Sequence, residues 1–162
     1  MNQQPKPCRV LFLDIDGVMR PMPTNFTSHG KYGFSRAAVE ALRQVVTSTG
    51  CGVVISSTWR EDKMNELQDA LVQYGLQVVA DSIIGATPLM DSADGPTRED
   101  EIDAWLHKSQ FCGRLAILDD EPFHHELRRW LVLTSQETGL AAAHAQKAIN
   151  LLKSGPIFPA HR

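Results

Sequence analysis

Three short apolar runs in this chain end abruptly in polar side chains that could do chemistry together. Residues 10–13 run into Asp14-Ile15-Asp16-Gly17, residues 52–55 into Ser56-Ser57-Thr58-Trp59-Arg60, and residues 115–118 into Asp119-Asp120. Asp14 and Asp16 are two positions apart, so an extended backbone aims both to one side, while a turn after Asp14 re-aims the second. If Asp119 and Asp120 lie beside them, three or four carboxylates share one small volume. Like charges about 4 Å apart repel by roughly 4 kcal/mol at an effective dielectric of about 20. A hard cation such as Mg²⁺, which takes one or two carboxylates plus waters and phosphate oxygens, relieves that repulsion. The alternative is a raised pKa that keeps one aspartic acid neutral as a proton donor. Both outcomes suit phosphoryl transfer, where the protein mainly positions groups and neutralises charge. Asp-x-Asp-Gly alone is also an ordinary strand-to-turn signal, as is an aspartate pair after an apolar run. The joint occurrence with Ser56 at a third strand end is what favours chemistry.

These residues need elements to bring them together. Residues 10–13, 52–55, 76–79, 115–118 and 131–133 read as five buried strands, being short apolar runs bounded by Asp, Gly or Ser. Helical spacing lies between them. Ser35 is a candidate N-cap for a helix through Val46 with Gly50 beyond its end, Met64, Leu67 and Leu71 share a face, and Thr97 precedes a helix with Ile102, Trp105 and Leu106. Residues 139–152 form a closing alanine-rich helix, and residues 20–33 and 81–96 are interrupted by Pro and Gly and read as loops. Alternation of strand and helix predicts an α/β fold, a mainly parallel five-stranded sheet with helices on both faces. Such sheets bind ligands at the carboxyl ends of their strands.

The chain has 162 residues, 43% hydrophobic, with a net charge of −3. That length suits one domain and that apolar fraction is not a disordered one. The charge balance supplies no electrostatic footprint for tight duplex nucleic-acid binding. No run approaches the roughly 20 apolar residues of a membrane span. The start MNQQPKPC lacks a charged segment followed by an apolar one, and Cys8, Cys51 and Cys112 are scattered and odd in number. Together these point to a cytoplasmic protein with free thiols, Cys51 and Cys112 being expected as buried and inert.

LFLDIDGV resembles the first motif of the haloacid dehalogenase (HAD) superfamily, an apolar strand followed by Asp-x-Asp-Gly. VVISSTWR resembles its second motif and LAILDDEP its acidic fourth; Arg98 in TREDEIDAWL is the best match to the lone Lys or Arg of the third. SSTWR, GATPL, REDEIDAWL, ILDDE and LTSQETGL together are similar to the HAD domains of Swiss Army knife RNA-repair proteins. The resemblance implies a three-layer Rossmann-like fold and a Mg²⁺-dependent phosphatase. It implies Asp14 as the nucleophile that becomes an aspartyl-phosphate, and Asp16 as the acid for the leaving oxygen and then the base for water. Ser56, or Ser57 as the fallback, would bind a phosphate oxygen, and Arg98 would balance charge. Asp120, favoured over Asp119 because Asp-Asp-Glu-Pro resembles capless relatives in which the second acid reaches the metal, would complete a metal site with Asp14 and the main-chain carbonyl of Asp16. The acid at position 16 favours a phosphate ester over a carbon–halogen bond, since departing halide needs no proton.

Gly17, Ser57, Arg20 and Arg60 are the expected substrate contacts. Trp59 either stacks on a substrate ring or packs in the core, and Arg60 either meets the anionic substrate or pairs with a local acid such as Glu61. His124 and His125 read as solvated, without zinc-like spacing. The loop at 20–33, with Lys31, is either a flap over the site or a plain connection. Neither it nor 81–96 is long enough for a folded cap, so an open site and a bulky phosphorylated substrate are expected, a nucleic-acid end or a protein, with a small phosphomonoester as the rival. A phosphate-binding module without turnover is the reading from another class.

Overall fold

The computed structural model describes residues 6–90, 93 and 95–160. Its chain order is β1 (Arg9–Leu13), α1 (Phe26–His29), α2 (Arg36–Thr49), β2 (Gly52–Ile55), α3 (Met64–Gln73), α4 (Gln77–Asp81), β3 (Ile83–Ala86), α5 (Arg98–Ser109), β4 (Gly113–Asp119), β5 (Leu131–Leu133), α6 (Ala142–Ser154) and β6 (Ile157–Phe158). The strands lie in the order β3-β2-β1-β4-β5, all parallel, with β6 antiparallel to the start of β4.

Strands buried on both faces read as continuous apolar runs, and the two faces separate by alternation. Leu11, Leu13, Val53, Ile55, Ala116 and Leu118 enter the core formed with α2, α3 and α6. Val10, Phe12, Val54, Leu115 and Ile117 enter the opposite core, where Ile102 and Leu106 of α5 meet them. The chain winds outward from β1 to β3 and then returns to place β4 on the other side of β1. The carboxyl ends of β1 and β4 therefore flank the point where strand order reverses, the crevice in which open α/β sheets hold ligands.

Local chemistry fixes the helices that frame this edge. Ser35 Oγ accepts the N–H of Ala38 at 3.1 Å, and α2 ends at Gly50 in the left-handed conformation. Thr97 and Asp100 form a reciprocal capping box at the start of α5, which sets the direction in which Arg98 leaves the chain.

Several expectations need correction. Residues 76–79 are not a strand: they enter α4, because Leu76 and Val79 are fully buried while Gln77 and Val78 face out, a spacing of three rather than two. The third strand is Ile83–Ala86, inside the segment read as loop, and Asp91, Ser92 and Asp94 of that segment lie outside the described residues, as do residues 1–5 of the start. The sheet has six strands, since two residues between Pro156 and Pro159 pair with Gly113 and Arg114. The last helix starts at Ala142 rather than 139, because Leu140 N–H donates to Val18 C=O at 2.7 Å and holds that approach extended. Cys51 is buried, and burial pushes its thiol pKa up, but Cys112 is exposed, as is Cys8. Between β1 and α2, and among the described residues between β3 and α5, there is no inserted folded unit.

Phe12 is fully buried, edge-to-face with Trp105 at 5.4 Å between centroids. Phe12→Ala should therefore cost about 3–5 kcal/mol, read as a lower urea midpoint at an unchanged m-value.

Candidate functional site

The end of β1 is tied to β4 before its side chains diverge. Asp14 N–H donates to Leu118 C=O at 3.1 Å, and the chain then turns so that Met19 and Arg20 N–H both donate to Ile15 C=O. Gly17 makes the turn possible. Its φ is +80°, and a Cβ there would stand 2.3 Å from Asp120 Oδ2, so this glycine admits Asp120 to the site. Thr134 Oγ1, after β5, donates to Gly17 C=O at 2.8 Å and fixes the turn from the other side.

Asp14, Asp119 and Asp120 each offer a carboxylate oxygen, all within 4.8 Å of one another. Asp14 and Asp119 are buried and Asp120 half-buried. Burial, then the neighbouring Asp119 charge, pushes the Asp14 pKa up to about 8, with Arg98 opposing. Burial likewise lifts Asp119 to about 7 against the Glu121 N–H it accepts at 2.9 Å and against Arg98. Arg98, the first residue of α5, lies between them, Nη2 3.6 Å from Asp14 Oδ1 and Nε 3.4 Å from Asp119 Oδ2. That second contact is an ion pair by distance without hydrogen-bond geometry, leaving Arg98 Nε and Asp119 Oδ2 without a hydrogen bond. An all-oxygen donor set with an orphaned buried oxygen fits a hard divalent cation. Among the described residues this is the one group of three or more acidic, His or Cys side chains that converge in this way.

The serines are separated by what they already do. Ser57 Oγ accepts the N–H of Trp59 at 3.3 Å and caps a short 3-10 turn. Ser56 N–H donates to Leu13 C=O at 2.9 Å, but its fully buried Oγ has no hydrogen bond. Ser56 thus has a hydroxyl with no partner among the described residues, whereas Ser57 Oγ already accepts one hydrogen bond and keeps its O–H to donate.

Asp16 stands apart from the carboxylate cluster. Its Oδ2 accepts the Trp59 Nε1–H at 3.3 Å, and Arg20 Nε lies 3.2 Å from Oδ1. The Arg20 guanidinium also lies 5.4 Å from the Trp59 ring and 5.7 Å from that of Phe26. Arg60, expected at the substrate, lines a cleft beside Arg98 with its guanidinium held by protein: Nη2 donates to Glu101 at 2.6 Å and Nη1 to Ser57 C=O at 2.7 Å. Its acid is Glu101 from α5, not the adjacent Glu61. Lys31 is exposed over the Tyr32 ring, His124 and His125 are exposed, and their backbone N–H groups donate to the buried Glu99. Glu99, Glu101 and Thr134 also serve this edge, though no motif along the chain marks them. The first two carried a faint signal, acids in the opening turn of an otherwise amphipathic helix. A cleft of about 520 Å³ opens beside Arg98, lined among others by Thr58, Leu89, Met90 and Glu121.

A family model described as the HAD domain in Swiss Army Knife RNA repair proteins matches residues 10–145. That stretch runs from β1 into α6 and contains every strand-end residue described above. Comparison with curated proteins returns no match.

A carboxyl group whose folded pKa lies above its unfolded value holds its proton in the fold while the unfolded chain has lost it, so stability falls as pH rises between the two. Without divalent cations, urea midpoints should decrease from about pH 4 to about pH 8, and Asp119→Asn should flatten that slope. Gly17→Ala should cost about 1–2 kcal/mol from its left-handed backbone, measured by the same titration, and more if Asp120 cannot give way.

Proposed function

The chain belongs to the family of HAD domains in Swiss Army Knife RNA repair proteins, and from that premise we propose that it is a Mg²⁺-dependent phosphomonoester hydrolase working through an aspartyl-phosphate on Asp14. The observation that carries this reading is the convergence of Asp14, Asp119 and Asp120 within 4.8 Å, beside Arg98 and the unpartnered Ser56 hydroxyl.

Asp14, as carboxylate, attacks phosphorus; an Asp14 oxygen–phosphorus bond forms and the ester oxygen–phosphorus bond breaks. Asp16 gives its proton to the departing ester oxygen, which leaves as an alcohol. A water then attacks the phosphorus of the aspartyl-phosphate, passes its proton to the Asp16 carboxylate, and releases phosphate and free Asp14. Ser56 Oγ–H donates to a phosphate oxygen, and Arg98 balances the charge gathered between Asp14 and Asp119. Mg²⁺, held by Asp14, Asp119 and Asp120 with the Asp16 main-chain carbonyl that the family resemblance adds, would neutralise the carboxylates and the phosphoryl oxygens. In this reading Arg20 and Arg60 act on Asp16 and on the α5 acids, and Gly17 serves the metal site by admitting Asp120.

The substrate is proposed to be a phosphomonoester on a bulky carrier. The chain carries no inserted domain between β1 and α2, nor among the described residues between β3 and α5. The family's description as a domain of RNA repair proteins favours a nucleic-acid end as that carrier. A basic surplus is lacking, so contacts near the reacting phosphate would have to carry recognition.

With Mg²⁺, phosphate release from an end-phosphorylated RNA oligonucleotide should exceed that from glycerol 2-phosphate, and Asp14→Asn should lower both by about 10³-fold or more while circular dichroism stays unchanged. Full activity in that variant would sink the mechanism. Binding of Mg²⁺ and orthovanadate with no release from either substrate would instead favour a phosphate-binding module.

A further inference from the structure

Asp16 carries the proton in the proposed reaction, and in its own turn the Arg20 cation lies 3.2 Å from its side chain. The carboxyl is part-exposed, and Oδ1, though near the Arg20 cation, has no hydrogen bond. Among the described residues, the one hydrogen bond to it comes from the indole N–H of Trp59, at 3.3 Å to Oδ2. The indole donor and the Arg20 cation between them set where that carboxyl points, and of the two only the indole has hydrogen-bond geometry.

Trp59 is itself set firmly. It is 4% exposed, its ring lies 6.5 Å from that of Phe34, and the Arg20 and Lys63 cations lie over it at 5.4 and 5.1 Å. Its own backbone N–H donates to Ser57 Oγ, which stands at the end of β2. A chain of fixed groups therefore runs from β2 through Ser57 and Trp59 to Asp16, while Asp14 is fixed independently by its bond to β4. Separate ties, toward β2 for Asp16 and to β4 for Asp14, thereby hold proton carrier and nucleophile. Packing alone does not need the indole nitrogen, since phenylalanine would fill most of the same apolar space.

We infer that Trp59 is a positioning residue that holds Asp16 where it can protonate the leaving oxygen. The inference rests on the phosphoryl-transfer reading above. Its consequence is selective. An alkoxide leaving group needs the proton, whereas p-nitrophenolate departs without one, so loss of the indole N–H penalises alkyl esters far more than the aryl ester. A purely structural role would lower both rates together.

The test is kcat/KM for glycerol 2-phosphate and p-nitrophenyl phosphate with Mg²⁺ in the full chain, for wild type, Asp14→Asn, Trp59→Phe and Trp59→His. The ratio of the two rates does not depend on how much of a preparation is active, so partial misfolding does not blur it. Trp59→Phe should lower the alkyl-to-aryl ratio by about tenfold or more, and Trp59→His, a smaller ring that keeps an N–H donor, should retain most of it; either variant that folds is enough to test the assignment. An unchanged ratio in Trp59→Phe, or a ratio in Trp59→His as low as that of a lost donor, overturns the assignment to Trp59 and leaves the phosphatase reading standing. No Asp14-dependent turnover of either ester overturns both.

Discussion

Carboxylates crowded at one edge of a sheet set the terms for everything around them. Asp14 at the end of β1 and Asp119 at the end of β4 are buried side by side because their strands are hydrogen-bonded neighbours, Leu13 lying opposite Leu118. Burial above all, then the charge of neighbouring acids (Asp119 on Asp14, Asp120 and Glu121 on Asp119), opposes the charged forms, which is why both pKa values rise. A fold that places charges there needs compensating groups, and the surroundings supply them. Arg98 enters from the first turn of α5, its Nε 3.4 Å from one Asp119 oxygen, and the Glu121 N–H donates to the other.

The compensating groups must in turn be held, and the structure holds them by a second tier of polar contacts. Arg98 is aimed by the Thr97–Asp100 capping box. Glu101, one turn later, lies 3.9 Å from Arg98 and binds Arg60. Arg60 in turn donates to Ser57 C=O at the end of β2. One network thus links α5 to the serine loop, and burying an ion pair such as Arg60–Glu101 is tolerable because each charge has its partner. The turn after Asp14 is braced from outside in the same manner, by Thr134 on Gly17 and by Leu140 on Val18.

Much of this was legible along the chain. Buried strands read as apolar runs, and β1, β2 and β5 lie where those runs are. Ser35 and Thr97 cap helices as their types suggest. The third strand was missed because Leu76, Val78 and Val79 are apolar in a row too short to show a period, and the neighbouring Ile83 and Ile84 sit in a stretch broken by Gly85 and Pro88. Arg60 and Trp59 were ambiguous for a different reason. Whether a cation or an indole faces substrate or protein depends on partners about 40 positions away, Glu101 for one and Asp16 for the other.

The sequence by itself determined which residues stand at strand ends, since an apolar run that stops at Asp or Ser is a local pattern with a local cause. It determined also that an acid lies two residues beyond the first. Only the tertiary structure decided which of those residues share a site. Ser56 and Ser57 are chemically equal along the chain and differ because Ser57 Oγ accepts the Trp59 N–H while Ser56 Oγ has no partner among the described residues. Both Asp119 and Asp120 reach the cluster because Gly17 leaves room for the second. Asp16 leaves the cluster altogether, drawn toward Trp59 and Arg20. Such outcomes turn on close approach between distant segments, and close approach is settled by strand register and packing rather than by spacing along the chain.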